Sequence, residues 1–285
     1  MNLTGRRTSK NVEDRRGMSA GKIGGGLSLG AIVVAAIIYF TTGDLNQAAS
    51  VLGNQTTTEQ VADYQPTAEE EALATFASQI LAGTEDVWTA VFKQNGLTYE
   101  PPKLVLFSGS VKSACGNATS QSGPFYCSAD QAVYIDLSFF SSMRQQFGTA
   151  GDFAYAYVIA HEVGHHVQYL LGTLGQAHQK MQQVSEKESN KISVRLELQA
   201  DFYAGVWAHN DNKMFGSLEE GDIDEGLAIA ARIGDDYLQK KAYGKAMPET
   251  FNHGTSDQRS RWLKKGIQTG DIRQGNTFDI DYSRL

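Results

Sequence analysis

Cysteine is scarce in this 285-residue chain: only Cys115 and Cys127 occur. Two thiols do not make a structural zinc site, and they are too far apart for a redox C-x-x-C. A basic surplus is also missing. The formal net charge is −7, which excludes the electrostatic footprint of a nucleic-acid binder. No internal repeat is present, and no glycine-rich loop of the kind that cradles a nucleotide. The apolar fraction of 41% is ordinary for a globular protein.

Charge is distributed unevenly. Residues 1–22 hold Arg6, Arg7, Lys10, Arg15, Arg16 and Lys22 against Glu13 and Asp14. Residues 23–42 (IGGGLSLGAIVVAAIIYFTT) carry no charge at all. Twenty residues at 1.5 Å each span about 30 Å, one hydrocarbon core. Tyr39 and Phe40 stand where interfacial aromatics anchor a span. A cleaved signal peptide has a similar layout with a shorter apolar region, and a buried core helix is the third possibility. The reading favoured here is one uncleaved transmembrane helix, with 1–22 cytoplasmic by the positive-inside rule and the rest periplasmic or extracellular. Residues 43–66 are polar and read as a flexible linker. Residues 67–285 then form one domain.

Within that domain, Thr67-Ala68-Glu69-Glu70 reads as a capping box that opens a helix, continuous or broken at Gly83. Short strands are expected at 103–107 and 131–137. Helices are expected at 152–171, 188–209, 223–242 and 255–267. Residues 173–187 read as a loop or a solvated helix. The fold class is α+β, mainly helical with a small sheet. Cys115 and Cys127 bracket a Gly/Ser-rich segment, and an oxidising compartment would let them pair as a disulfide.

The chemistry concentrates at His161-Glu162-Val163-Gly164-His165. In a helix, residues four apart share a face, so His161 and His165 can grip one metal ion. Glu162 lies about 100° around and can act as a general base without being a ligand. The flanks are apolar and free of proline. Catalytic zinc takes three protein ligands. A histidine third ligand at metzincin spacing would fall at position 171, where Leu171 stands. The candidate is Glu197 in Leu196-Glu197-Leu198-Gln199-Ala200-Asp201. Apolar neighbours make burial of at least one acid probable, and a buried carboxylate needs a partner. Asp201 could accept the N–H of a ligating histidine. The other histidines carry weaker signals: His166 beside a ligand, His178 and His209 in polar surroundings.

These stretches resemble the bacterial neutral zinc metallopeptidase family, within the broader glutamate-zincin pattern of H-E-x-x-H and a downstream E-x-x-x-D. The similarity includes Gly5-Arg6-Arg7, Asn11 to Gly17, Cys115-Gly116, Gly123 to Cys127, Tyr157 to His166 and Glu197 to Asp201. It implies Zn2+, a metalloendopeptidase (hydrolase) acting on a peptide or protein substrate, and a domain of zincin type. His253-Gly254 and Arg259 are similar to the His-Pro…Arg segment of membrane zincins related to the prenyl-protein protease, with Gly254 in place of proline. By that likeness His253 is a catalytic candidate for oxyanion stabilisation, with Tyr203 or another phenol beside it. The bland alternative makes His253 a loop residue and Arg259 a packing residue. An extended substrate would pair with an edge strand drawn from 108–127. Two other functions stay open: a membrane-tethered, non-catalytic module, and an amidase acting on cell-wall peptide.

Overall fold

Thr67 closes the expected capping box. Its hydroxyl accepts from the Glu70 N–H at 3.2 Å, and Glu70 accepts from the Thr67 N–H at 2.7 Å. From there the computed structural model, which describes residues 1–18, 64–147 and 151–285, runs as one helix, α1 (Ala68–Gln94). Gly83 does not break it. It is a point of close approach instead: a Cβ there would stand 2.7 Å from Arg6 Nη2 and 2.9 Å from Asp211 Oδ1.

Among the described residues six strands form two sheets: β1 (Val12–Asp14), β2 (Lys103–Phe107), β3 (Ser110–Ser113), β4 (Gly116–Thr119), β5 (Phe125–Cys127) and β6 (Ala132–Asp136). The larger has the order β1-β2-β6-β5, with β1 and β6 parallel to β2 and β5 antiparallel to β6. β2 and β6 are apolar almost throughout and buried on both faces, as central strands read. β5 is left as the outer strand on the far side. β3 and β4 make a separate hairpin. Cys115, in its turn, is bonded to Cys127 at the end of β5, with Cα atoms 5.8 Å apart.

The helices after the sheet are α2 (Ser138–Phe147), α3 (Asp152–Leu170), α4 (Thr173–Met181), α5 (Glu186–Phe215), α6 (Asp222–Arg232), α7 (Asp235–Tyr243) and α8 (Ser256–Thr269). α2 was not expected, and three other expectations change. The segment left between loop and helix forms α4, which buries Leu174 and Ala177. α5 is longer at both ends, opened by Ser185 as N-cap. The single helix expected over 223–242 divides at Gly234, where a Cβ would come within 2.3 Å of Ser256 N.

α3 is buried nearly all round, from Phe153 to Gln168 with His165 the one half-buried exception. A helix without a polar face belongs in a core. It crosses α5, and α5 in turn meets α8 backbone to backbone. A Cβ on Gly205 would lie 2.3 Å from Leu263 O, and one on Gly266 would lie 2.1 Å from Phe202 O. The α+β class holds. The predicted membrane run 23–42 and nearly all of the linker lie outside the described residues. Among the described residues no helix is long and apolar enough to cross a membrane. Residues 1–18 pack on the domain, with β1 in its larger sheet.

Candidate metal centre

α3 and α5 cross so that His161, His165 and Glu197 turn toward one another. One ligand atom from each lies within 4.8 Å of the others, the one such group among the described residues. The imidazole rings stand at 89° to each other with centroids 4.8 Å apart.

Each ring is held from behind. His161 Nδ1 donates to Asp201 Oδ1 at 2.8 Å. His165 Nδ1 donates to Gln168 Oε1 at 2.9 Å. The Gln168 amide cannot be turned the other way without loss, because its Nε2 donates to Leu196 O at 2.7 Å and Gln199 Oε1 at 3.1 Å. Both Nε2 atoms therefore face the Glu197 carboxylate, at 3.2 Å from His161 and 3.5 Å from His165. Two imidazoles presenting Nε2, with one carboxylate, are the donor set of a catalytic zinc site.

Behind Asp201 is a fully buried cluster. Arg259 Nε donates to Asp201 Oδ2 at 2.9 Å and Nη2 to Oδ1 at 3.0 Å, and the Tyr157 hydroxyl donates to Oδ1 at 2.6 Å. Burial alone would raise both carboxyl pKa values. The Arg259 and His161 charges outweigh it and hold Asp201 down to about 2. His165 and His161 hold Glu197 below the ordinary range in the same way. Burial likewise opposes charge on His161, yet Asp201 and Glu197 overcome it and lift the ring to about 10. A field that favours a proton between these carboxylates favours a metal cation there too. Two carboxylates face one guanidinium, and the residual negative charge suits a divalent ion. The residues fit zinc.

The centre opens into a cavity of about 510 Å3. Glu162 lines it, and its carboxylate has no hydrogen-bonding partner among the described residues. Phe125 and Tyr126 of the outer strand β5 form one wall. Leu174, Met181, Leu196, Phe139, Val158 and Ile233 give the lining its apolar part.

His253 reaches the same cavity from the loop before α8, with its side chain 51% exposed. Asp235, the first residue of α7, pins that loop. It accepts from the N–H groups of Asn252, His253 and Gly254 and from His253 Nδ1 at 3.2 Å. The hydrogen bond to Asp235 raises the His253 pKa. Gly254 has φ +102°, which a proline ring fixed near −65° cannot adopt, so the loop needs the glycine.

Several expectations change. Tyr203 does not line the cavity; it is buried against Trp88 and Phe202 and cannot assist an oxyanion. His166 is structural: Nε2 donates to Glu100 O at 2.7 Å and Nδ1 accepts from the Tyr126 hydroxyl at 2.9 Å, tying β5 to the active helix. His178 is exposed on the cavity rim. His209 is half-buried and donates to Ile267 O at 2.8 Å rather than lying in solvent. Gln168, Tyr157 and Asp235 were not foreseen. Of these only Gln168 carried a local signal, three residues after a ligand on the same helix face.

A family model described as "Putative neutral zinc metallopeptidase" matches residues 1–278. The uncharacterized protein YpfJ of Escherichia coli K12 is 44% identical over 284 residues, 98% of this chain and 99% of that protein. The uncharacterized protein Rv2575 of Mycobacterium tuberculosis H37Rv is 44% identical over 199 residues, 66% of each chain. No solved structure matches.

Proposed function

This chain belongs to the neutral zinc metallopeptidase family, and from that membership we propose that it hydrolyses peptide bonds as a zinc metalloendopeptidase. One observation carries the reading: both imidazoles are locked to present Nε2 toward Glu197, while Glu162 beside them stays unbonded and open to the cavity. A metal serving structure alone has no use for such a carboxylate.

His161, His165 and Glu197 would hold the ion. Zinc in that set supplies Lewis acidity, bringing the pKa of water toward about 7 and polarising a carbonyl. Glu162 takes the proton from the attacking water and passes it to the leaving amine. His253, whose pKa the hydrogen bond to Asp235 raises, donates to the developing oxyanion. The free edge of β5 offers backbone groups to an extended substrate, and the apolar lining of the cavity receives side chains. The Cys115–Cys127 bond fixes the end of that strand and supports a compartment outside the cytoplasm.

The test uses the full chain, wild type against Glu162→Gln, with zinc analysis and a broad peptide library. Wild type should hold about one zinc and cleave. Glu162→Gln should keep the zinc and lose roughly 10²–10⁴-fold in rate. Glu197→Ala should lose most of the metal. A zinc-loaded wild type that cleaves nothing, or a Glu162→Gln variant as fast as wild type, sinks the proposal.

A further inference from the structure

Residues 1–18 are built into the catalytic domain. β1 pairs with β2 in the register Val12↔Leu104, Glu13↔Val105 and Asp14↔Leu106. Leu104 N donates to Asn11 O at 2.9 Å and Arg15 N to Leu106 O at 2.7 Å. Arg6 reaches Asp211 on α5 with Nη2–Oδ1 at 2.7 Å and Nη1–Oδ2 at 3.2 Å, and its guanidinium lies 3.8 Å from the Phe215 ring centroid. Those side chains are 11% and 1% exposed. Ser9 donates to the buried Glu85 of α1 at 2.5 Å.

A second, independent sign is Gly83. Glycine inside a helix costs about 1 kcal/mol against alanine. A Cβ at that point would collide with the Arg6 guanidinium, so the sequence of α1 is shaped to receive the N-terminal segment. A third is the place where the chain leaves and returns. Gly17, at φ +72°, is so close to Tyr64 that a Cβ on it would fall 2.4 Å from the Tyr64 Cβ.

Placing the membrane between 1–22 and 67–285 treats the arginines as free charges that orient a single crossing. They are not free. Arg6 pairs with Asp211, Arg7 with Glu85 and Asp86, Arg15 with Glu13, and Arg16 with Asp14 and Glu71. Backbone hydrogen bonds between β1 and β2 cannot form across about 30 Å of hydrocarbon. Residues 43–63 contain Asp44, Glu59 and Asp63 and no second apolar run long enough to bring the chain back across. We propose that residues 1–18 and 64–285 lie on one side of the membrane.

Lys10 and Lys245 are exposed and report on the two regions. In the full chain, Lys10→Cys and Lys245→Cys would each be treated with a membrane-impermeant maleimide, in intact spheroplasts and after lysis. Cys115 and Cys127 are paired and silent. The two positions should behave alike, both labelled or both protected before lysis. Labelling of one with protection of the other overturns the proposal. Arg6→Asp should also lower Tm by roughly 6–20 °C through loss of a buried pair. An unchanged Tm would mean that the segment is not docked, and the proposal would fall.

Discussion

Arg259 grips Asp201 with two nitrogens, at 2.9 and 3.0 Å, and the same carboxylate receives the His161 Nδ1 proton at 2.8 Å. A residue on α8 thus fixes the tautomer of a candidate metal ligand on α3 through an acid on α5. The pair is buried at both ends, so each charge depends on the other.

Arg259→Ala strands the Asp201 charge in the core. Breaking a buried pair costs about 3–5 kcal/mol. Loss of support behind a ligand weakens metal affinity by about 10–100-fold. Chelator competition and a denaturant melt would read the two effects separately. Arg259→Lys should fall between, since it keeps the charge but loses the two-pronged geometry. An alanine variant with wild-type zinc affinity would reduce Arg259 to a packing role.

Gly164 lies between the two histidine ligands, and a Cβ there would meet Ala200 O at 2.9 Å and Ala200 Cα at 3.1 Å. Ala200 itself sits between Glu197 and Asp201. Gly164→Ala therefore pushes the ligand helices apart, at about 1–3 kcal/mol for overpacking, and should weaken zinc binding as well. Gly175→Ala on α4 is the control. Its Cβ meets nothing within 4 Å. That change should be neutral or stabilising by up to about 1 kcal/mol. Equal losses in the two variants would refute the close-approach argument.

Stability should fall in alkali. Burial raises the Tyr99 and Tyr203 hydroxyls, and burial with a hydrogen bond to Asp130 carries Tyr134 to about 12. These groups keep their protons in the fold, whereas the unfolded chain loses them near about 10. Their contribution is complete below that pH and is lost progressively above it, through about 12 for Tyr134. Phenolate absorbance followed beside the unfolding midpoint from pH 8 to 12 tests this. A midpoint that holds steady above pH 10 would contradict it.

That His161, His165 and Glu197 come together was legible because the geometry is local. His161 and His165 need only a helix, and the apolar neighbours of Glu197 and Asp201 already implied burial. The capping box at Thr67 and the apolar strands were legible for the same reason. Arg259 was singled out only by its likeness to a His-Pro…Arg segment; its grip on Asp201 was not legible, because it depends on the α5–α8 contact at Gly205 and Gly266. Tyr203 was misplaced by helical phase: it follows Asp201 by two residues, about 200° around α5. β1 is three residues long and its partner Leu104 is remote in the chain, so no periodicity betrayed it. Arg6 and Arg7 looked like membrane signals because their acidic partners, Asp211, Glu85 and Asp86, lie elsewhere in the sequence.

With Gly17 against Tyr64, residues 1–18 and the chain from residue 64 onward build one folded unit that is discontinuous in sequence. A fragment starting at Thr67 would discard an outer strand and leave Asp211 with no cation. A chain joining Met18 to Tyr64 by a short bridge would remove the apolar run and keep the sheet whole.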